Sequence, residues 1–180
     1  MKQLFSQFVI LVVLSVCAPA VAEVSSCTDS GFFLKIEIPI YGTPLSVYNN
    51  LVQDVSEWWD PAHTFSGDSK NLSIDARPGG CFCEALPDGG GVRHLEVVYN
   101  SPGKTLRMSG ALGPLQGFGL AGSMTWMFEA IGDSTRLGFT YSVGGYIDGG
   151  LQNIAPIVDT VLNGQLIRLK RFAETGNPNQ

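Results

Sequence analysis

The sequence predicts an α+β fold in which a curved antiparallel sheet of about seven strands wraps one long C-terminal helix. Three observations carry that expectation. Across residues 149–174, Leu151, Ile154, Ala155, Val158, Val161, Leu162, Gln165, Leu169 and Phe172 recur at three- and four-residue steps, which draws a single stripe along a 3.6-period helix. From residue 71 to residue 144 the chain is instead a run of short segments alternating apolar and polar, each closed by turn residues. The 22 glycines of the 180-residue chain suit a sheet that bends sharply at several points. A long amphipathic helix cannot bury its stripe alone, so it requires the concave face of that sheet.

The first 22 residues stand outside this fold. Lys2 gives a short positive start, residues 8–16 are apolar apart from Ser15, and Ala20-Val21-Ala22 forms a small-x-small cleavage site. They read as a secretory signal cleaved after Ala22, which predicts a periplasmic or secreted protein. Leu14-Ser15-Val16-Cys17 offers a second reading, lipidation at Cys17, against which Val16 is a poor fit to a lipoprotein box. No later stretch is long and apolar enough to predict a membrane span. Residues 23–175 are then one domain, and residues 176–180 a flexible tail.

Residues 31–40 alternate with Leu34, Ile36, Ile38 and Ile40 on one face, a half-buried strand. Thr43 is placed to cap a helix whose first turn holds Pro44 and whose apolar positions run through Leu45, Val47, Tyr48, Leu51, Val52 and Val55 to Trp58-Trp59. Asp60-Pro61 ends it. Strands follow at Leu72, Ile74 and Ala76, at residues 81–86, at residues 92–99, at residues 105–111, at residues 123–131 and at residues 136–144. In residues 92–99 the alternation is read as placing Leu95, Val97 and Tyr99 inward, with Arg93 sharing their parity and His94 and Glu96 on the other face. The uninterrupted succession of hairpins makes the sheet antiparallel.

Loss of the leader removes Lys2 as its one charged residue, leaving ten basic against sixteen acidic residues, a net charge of −6. The charges are scattered singly, and the Arg168-Leu169-Lys170-Arg171 cluster complements a helix C-terminus, so nothing in the pattern suits a nucleic-acid partner. Of the cysteines that follow the leader, Cys81 and Cys83 lie two apart in a strand and are read as badly placed to bond each other. Either Cys27 pairs with one of them, or both strand cysteines act as small buried apolar groups.

This order of elements, with Trp58-Trp59 at a helix end, Pro78-Gly79-Gly80-Cys81-Phe82-Cys83-Glu84 and Pro102-Gly103-Lys104-Thr105-Leu106-Arg107 each entering a strand, and Gly110-Ala111-Leu112-Gly113-Pro114-Leu115, resembles the START/Bet v 1-like (SRPBCC) helix-grip superfamily. Within it the chain is most similar to bacterial polyketide cyclase/dehydrase and Hsp90-ATPase-activator-homologue proteins, over nearly all of residues 31–174. The resemblance implies a hydrophobic ligand cavity between the sheet and the long helix. Members bind ligands, carry lipids, cyclise substrates or serve chaperones, so the fold does not fix an activity.

Trp59, Leu95, Val97, Met108, Trp126, Phe128, Tyr141, Ile154 and Val158 are expected to wall that cavity, with Gln165 either reaching solvent at its end or meeting a ligand. The polar cluster at residues 59–68 supplies weak catalytic candidates: His63 as acid or base, with Asp60 or Asp68 to orient it and Ser66 as a hydrogen-bond donor. The bland alternative is that the aspartates cap turns and His63 packs on Trp59. His63, His94 and Glu84 are too few donors to predict a metal site, and no cofactor is expected. Arg93 and Arg107 are candidates to anchor an anionic ligand head, or arginines that snorkel at strand ends. Residues 110–122, rich in Gly, Leu and Phe, read either as a flexible apolar loop that gates the cavity rim or as a wide hairpin loop tucked on the core. The expected function is therefore an exported binding protein for a small hydrophobic or amphipathic molecule. The alternatives are a cyclase- or hydrolase-type enzyme acting in the same cavity, and a protein-interaction module.

Overall fold

A computed structural model describes residues 23–180; the leader and Cys17 lie outside the described residues. The strands are β1 (Glu23–Thr28), β2 (Gly31–Tyr41), β3 (Leu72–Ile74), β4 (Cys81–Ala85), β5 (Gly91–Ser101), β6 (Thr105–Ser109), β7 (Ala121–Ile131) and β8 (Ser134–Gly144). They form one antiparallel sheet in the order β1-β2-β8-β7-β6-β5-β4-β3. That is one strand more than the sequence predicts. The extra strand, β1, is the polar segment EVSSCT with no apolar alternation, and it lies at the sheet edge.

Strands β2, β7 and β8 follow their predicted parity. Leu34, Ile36, Ile38 and Ile40 face inward from β2, Met124, Trp126 and Phe128 from β7, and Leu137, Phe139, Tyr141 and Val143 from β8. Each such side chain, once buried, contributes about 1.5–3 kcal/mol. Thr43 Oγ1 accepts the Ser46 N–H at 3.2 Å and caps α1 (Pro44–Gln53) as expected. The predicted single helix breaks at Asp54, and a short α2 (Val55–Trp58) follows. The long helix α3 (Ala155–Thr175) begins after a 3-10 turn at Leu151–Asn153 and lays Ala155, Leu162, Gln165, Leu166 and Leu169 onto the core. It ends on Gly176, whose left-handed φ of 76° lets its N–H bond the Phe172 carbonyl at 2.7 Å. Beyond it, Arg168 Nη1 donates to Asn179 Oδ1 at 2.7 Å, within the segment expected to be a tail. No helix among the described residues is long and apolar enough to cross a membrane.

Strand β5 departs most from its predicted parity. Opposite β4 the register passes from Phe82↔Leu95 to Cys83↔Arg93, so His94 is an extra residue in a β-bulge. Opposite β6 it passes from Val97↔Met108 to Tyr99↔Arg107, which makes Val98 a second one. Across the first bulge both His94 and Leu95 turn inward, and across the second Tyr99 turns out. Arg93 is exposed and pairs with Glu96 at 2.9 Å, while Arg107 Nε donates to Thr125 Oγ1 at 3.0 Å and the guanidinium lies 5.9 Å from the Tyr99 ring centroid. Neither arginine lines the cavity under the C-terminal helix, although Arg93 borders a second, more open hollow with Phe65, Pro114 and Gln116.

The cysteine expectation is also corrected. Cys81 and Cys83 form a disulfide, and Cys27 is exposed and unpaired among the described residues. Beside the bulge the two Cα atoms are 5.4 Å apart, shorter than the ~6.6 Å of two fully extended residues and within the reach of a disulfide.

Candidate functional site

A cavity of about 440 Å³ opens beneath the first half of α3. Ile154, Ile157, Val158, Val161 and Leu162 of the α3 region form its roof. Trp59 and the turn at Pro61–His63, continuing to Phe65, close one side, and the turn at Gly113–Phe118 closes the other. Phe82 from β4 and His94 from β5 form the wall between them. Phe65, Phe118 and Ile157 remain 55%, 52% and 65% exposed, so the mouth itself is apolar.

Three of the predicted wall residues, Trp59, Ile154 and Val158, line this space, and so does His63 at its exposed mouth. The others do not. Leu95, Val97, Met108, Trp126 and Phe128 are packed into the solid core between sheet and helices. Tyr141 holds the root of the rim loop: its hydroxyl donates to the Gly110 carbonyl at 3.2 Å and accepts the Leu112 N–H at 2.8 Å. Burial, set against that bond from Leu112, pushes the Tyr141 phenol up to about 12. Gln165, 1% exposed, takes neither predicted role, because its Oε1 accepts the Asp60 N–H at 2.9 Å and clasps the mouth loop to α3.

The aspartates take the bland role. Asp60 Oδ1 accepts the Ala62 N–H and Asp68 Oδ1 the Lys70 N–H, both at 2.9 Å, each capping a 3-10 turn, and neither residue lines the cavity. Ser66 Oγ donates to the Asp68 carbonyl at 3.1 Å. His63 is joined to Trp59 through its own carbonyl, which accepts the indole N–H at 3.0 Å.

The polar group that does reach the interior is one that strand parity had turned outward. The bulge brings the His94 side chain, 5% exposed, into the cavity wall, where its Nε2 lies 2.9 Å from Oε2 of the fully buried Glu84 side chain. That carboxylate also accepts the Phe65 N–H at 3.1 Å and the Ser66 N–H at 2.5 Å. Burial alone would raise the Glu84 carboxyl, but the bonds from Ser66, Phe65 and His94 outweigh it and hold the group below the usual carboxylate range. Burial lowers the His94 imidazole below its ordinary value, against the pull of Glu84. The ring stands 5.1 Å from Phe82 and stacks at 5.9 Å on Phe65. Its Nδ1 is buried with no hydrogen-bond partner among the described residues. One signal in the sequence pointed this way: Val92 and His94 share even parity while Leu95 and Val97 share odd, a phase break that marks an inserted residue.

Several solved structures share this arrangement of an antiparallel sheet around a C-terminal helix. A conserved protein of unknown function from Enterococcus faecalis matches with a TM-score of 0.58 at 16% identity, over 87% of this chain and 78% of its own. The protein CalU16 from Micromonospora echinospora matches with a TM-score of 0.53 at 12% identity, over 87% and 84%. The Aha1 protein of Colwellia psychrerythraea, solved as a dimer, matches with a TM-score of 0.54 at 16% identity, over 80% and 97%. The chain has the helix-grip fold. The di-domain ARO/CYC protein StfQ of the steffimycin biosynthetic pathway matches with a TM-score of 0.54 at 16% identity, over 81% of this chain and 51% of that one. At such identities the likeness is one of helix-grip architecture alone. No protein-family model and no curated protein matches the chain.

Proposed function

We propose that the protein is an exported binding protein that holds a small hydrophobic or amphipathic molecule in the cavity under α3. The observation that carries this reading is the partly open hollow of about 440 Å³ walled by Trp59, Phe82, Leu112, Leu115, Ile154, Val158 and Leu162, a size and lining typical of small-molecule sites. Burial of apolar ligand surface would supply most of the affinity, at about 25 cal/mol per Å² before ordering costs. The exposed Phe65, Phe118 and Ile157 give such a ligand an apolar rim to cross. Export rests on the leader of residues 1–22.

Trp59 serves as the built-in reporter. An uncharged probe such as N-phenyl-1-naphthylamine or a brominated hydrocarbon is expected to quench or shift its emission saturably, and Val158→Trp, which fills the roof, is expected to abolish the effect. Unchanged Trp59 emission at saturating probe, with a Trp59→Phe control to isolate its signal, would remove the reading.

A further inference from the structure

The wall contains one polar feature whose chemistry narrows the ligand further. Its other side-chain polar groups are already engaged: the Trp59 indole N–H with the His63 carbonyl, and the Thr64 hydroxyl with the Pro61 carbonyl at 2.8 Å. His63 lies at the exposed mouth. Among the described residues, no lysine or arginine lines the space. What remains inside is the imidazole of His94, with one nitrogen on a carboxylate and the other unpartnered.

Resting on the cavity reading, we propose that the site selects a neutral apolar molecule carrying a hydroxyl group, a phenol or alcohol, whose O–H is donated to Nδ1 of His94, and that it rejects the corresponding carboxylate. The argument is one of hydrogen-bond inventory. Ionised Glu84 has only acceptor oxygens, already taking the N–H groups of Phe65 and Ser66, so Nε2 of His94 must be the nitrogen that carries the proton toward it. A neutral imidazole with its proton on Nε2 has a lone pair on Nδ1, and that atom accepts. Left unfilled in the interior, the acceptor is a cost that a ligand's donor removes.

The same inventory works against an anion. A carboxylate would meet a lone pair where it needs a proton, with the negative charge of Glu84 behind the ring and no cation in the wall. The titratable groups facing His94 are Glu84 from β4 and, farther out, His63 from the mouth turn. The depressed pKa of His94, with burial as its main cause, agrees with a neutral ring at neutral pH. Nδ1 is closed off in this structure, and Phe65, stacked on the imidazole and 55% exposed, is the movable side chain beside it, so a donor reaches the acceptor by displacing that ring.

Three probes of one shape test the idea on the wild-type protein at pH 7.5: 2-naphthol, 2-methylnaphthalene and 2-naphthoate, with dissociation constants read from Trp59 quenching. The naphthol is expected to bind about threefold to tenfold more tightly than the methyl compound, the net effect of one neutral hydrogen bond. The naphthoate is expected to bind at least on the order of tenfold more weakly than the naphthol. His94→Phe should abolish the preference, so that the naphthol and the methyl compound bind with equal affinity. If that variant does not fold, the ¹⁵N shift of His94 Nδ1 in the wild type provides the second reading, since it must move toward the hydrogen-bonded value with naphthol and stay put with the methyl compound. Equal affinity for naphthol and methylnaphthalene, tightest binding by naphthoate, or an unmoved Nδ1 would each overturn this inference and leave the cavity reading standing. Failure of all three probes to bind would overturn both.

Discussion

Oε2 of Glu84 lies 2.9 Å from Nε2 of His94. Because the same carboxylate holds the Phe65 and Ser66 N–H groups, one side chain joins β4, the β5 bulge and the mouth loop. Glu84→Ala leaves two backbone donors and an imidazole without their acceptor, and should cost about 2–4 kcal/mol in urea unfolding. Glu84→Gln keeps the shape and one acceptor oxygen, so it should cost roughly half of that.

The pair also sets the acid limb of stability. His94 is held below its ordinary pKa, chiefly by burial, so the unfolded chain binds its proton first; this contribution is complete above about pH 6.5 and declines as pH falls below it. Glu84 is likewise held low in the fold, since its hydrogen bonds outweigh its burial, so its contribution is present above about pH 4.3 and is lost as pH falls further. Thermal midpoints followed by circular dichroism should drop in two stages on acidification. His94→Phe should erase the upper stage; a profile still falling between pH 6.5 and 5 in that variant would contradict the assignment.

Gln165 is expected to act as a structural clasp. Gln165→Leu preserves the bulk of the side chain but strands the Asp60 N–H, which should cost about 1–3 kcal/mol and increase protease cutting within residues 60–68. Should the loop resist proteolysis as before, the clasp is not what orders it.

Thiol chemistry separates the cysteines. In the chain beginning at Glu23, a maleimide should add one equivalent, at Cys27, under native conditions, and two more at Cys81 and Cys83 only after reduction. Intact-mass measurement before and after reduction decides it; native labelling at Cys81 or Cys83 would exclude the bond.

Much of the fold was legible because β2, β7 and β8 alternate without a break, so that Ile36, Trp126 and Phe139 had only one way to face. The site was less legible because it is built where alternation fails. A single inserted residue reverses every side chain before it, which is why His94 read as outward and Arg93 as inward. The same local contraction brought Cys81 within reach of Cys83. Gln165 was visible as the one polar residue in an apolar stripe, but its partner is a backbone N–H 105 residues away in sequence, which no local pattern encodes. The cavity wall was partly misassigned for a related reason: parity distinguishes inside from outside but not the packed part of an interior from the hollow part, and so Met108 and Trp126 looked equivalent to Trp59.

The Gln165 clasp has a mechanical corollary. With Asp60 bonded to α3 and Phe65 and Ser66 bonded to β4, one jaw of the mouth is fastened at both ends to rigid elements. The opposite jaw, Gly113–Phe118, is rooted through Tyr141, is held over β5 by Gln116 Nε2 on the Arg93 carbonyl at 2.9 Å, and is flanked by left-handed glycines at Gly113 and Gly119. The two jaws are therefore held unequally: one is riveted to helix and strand, whereas the other leans on Tyr141 and on a single glutamine side chain, whose Nε2 also reaches the His94 carbonyl at 3.4 Å, so far fewer bonds stand against its displacement.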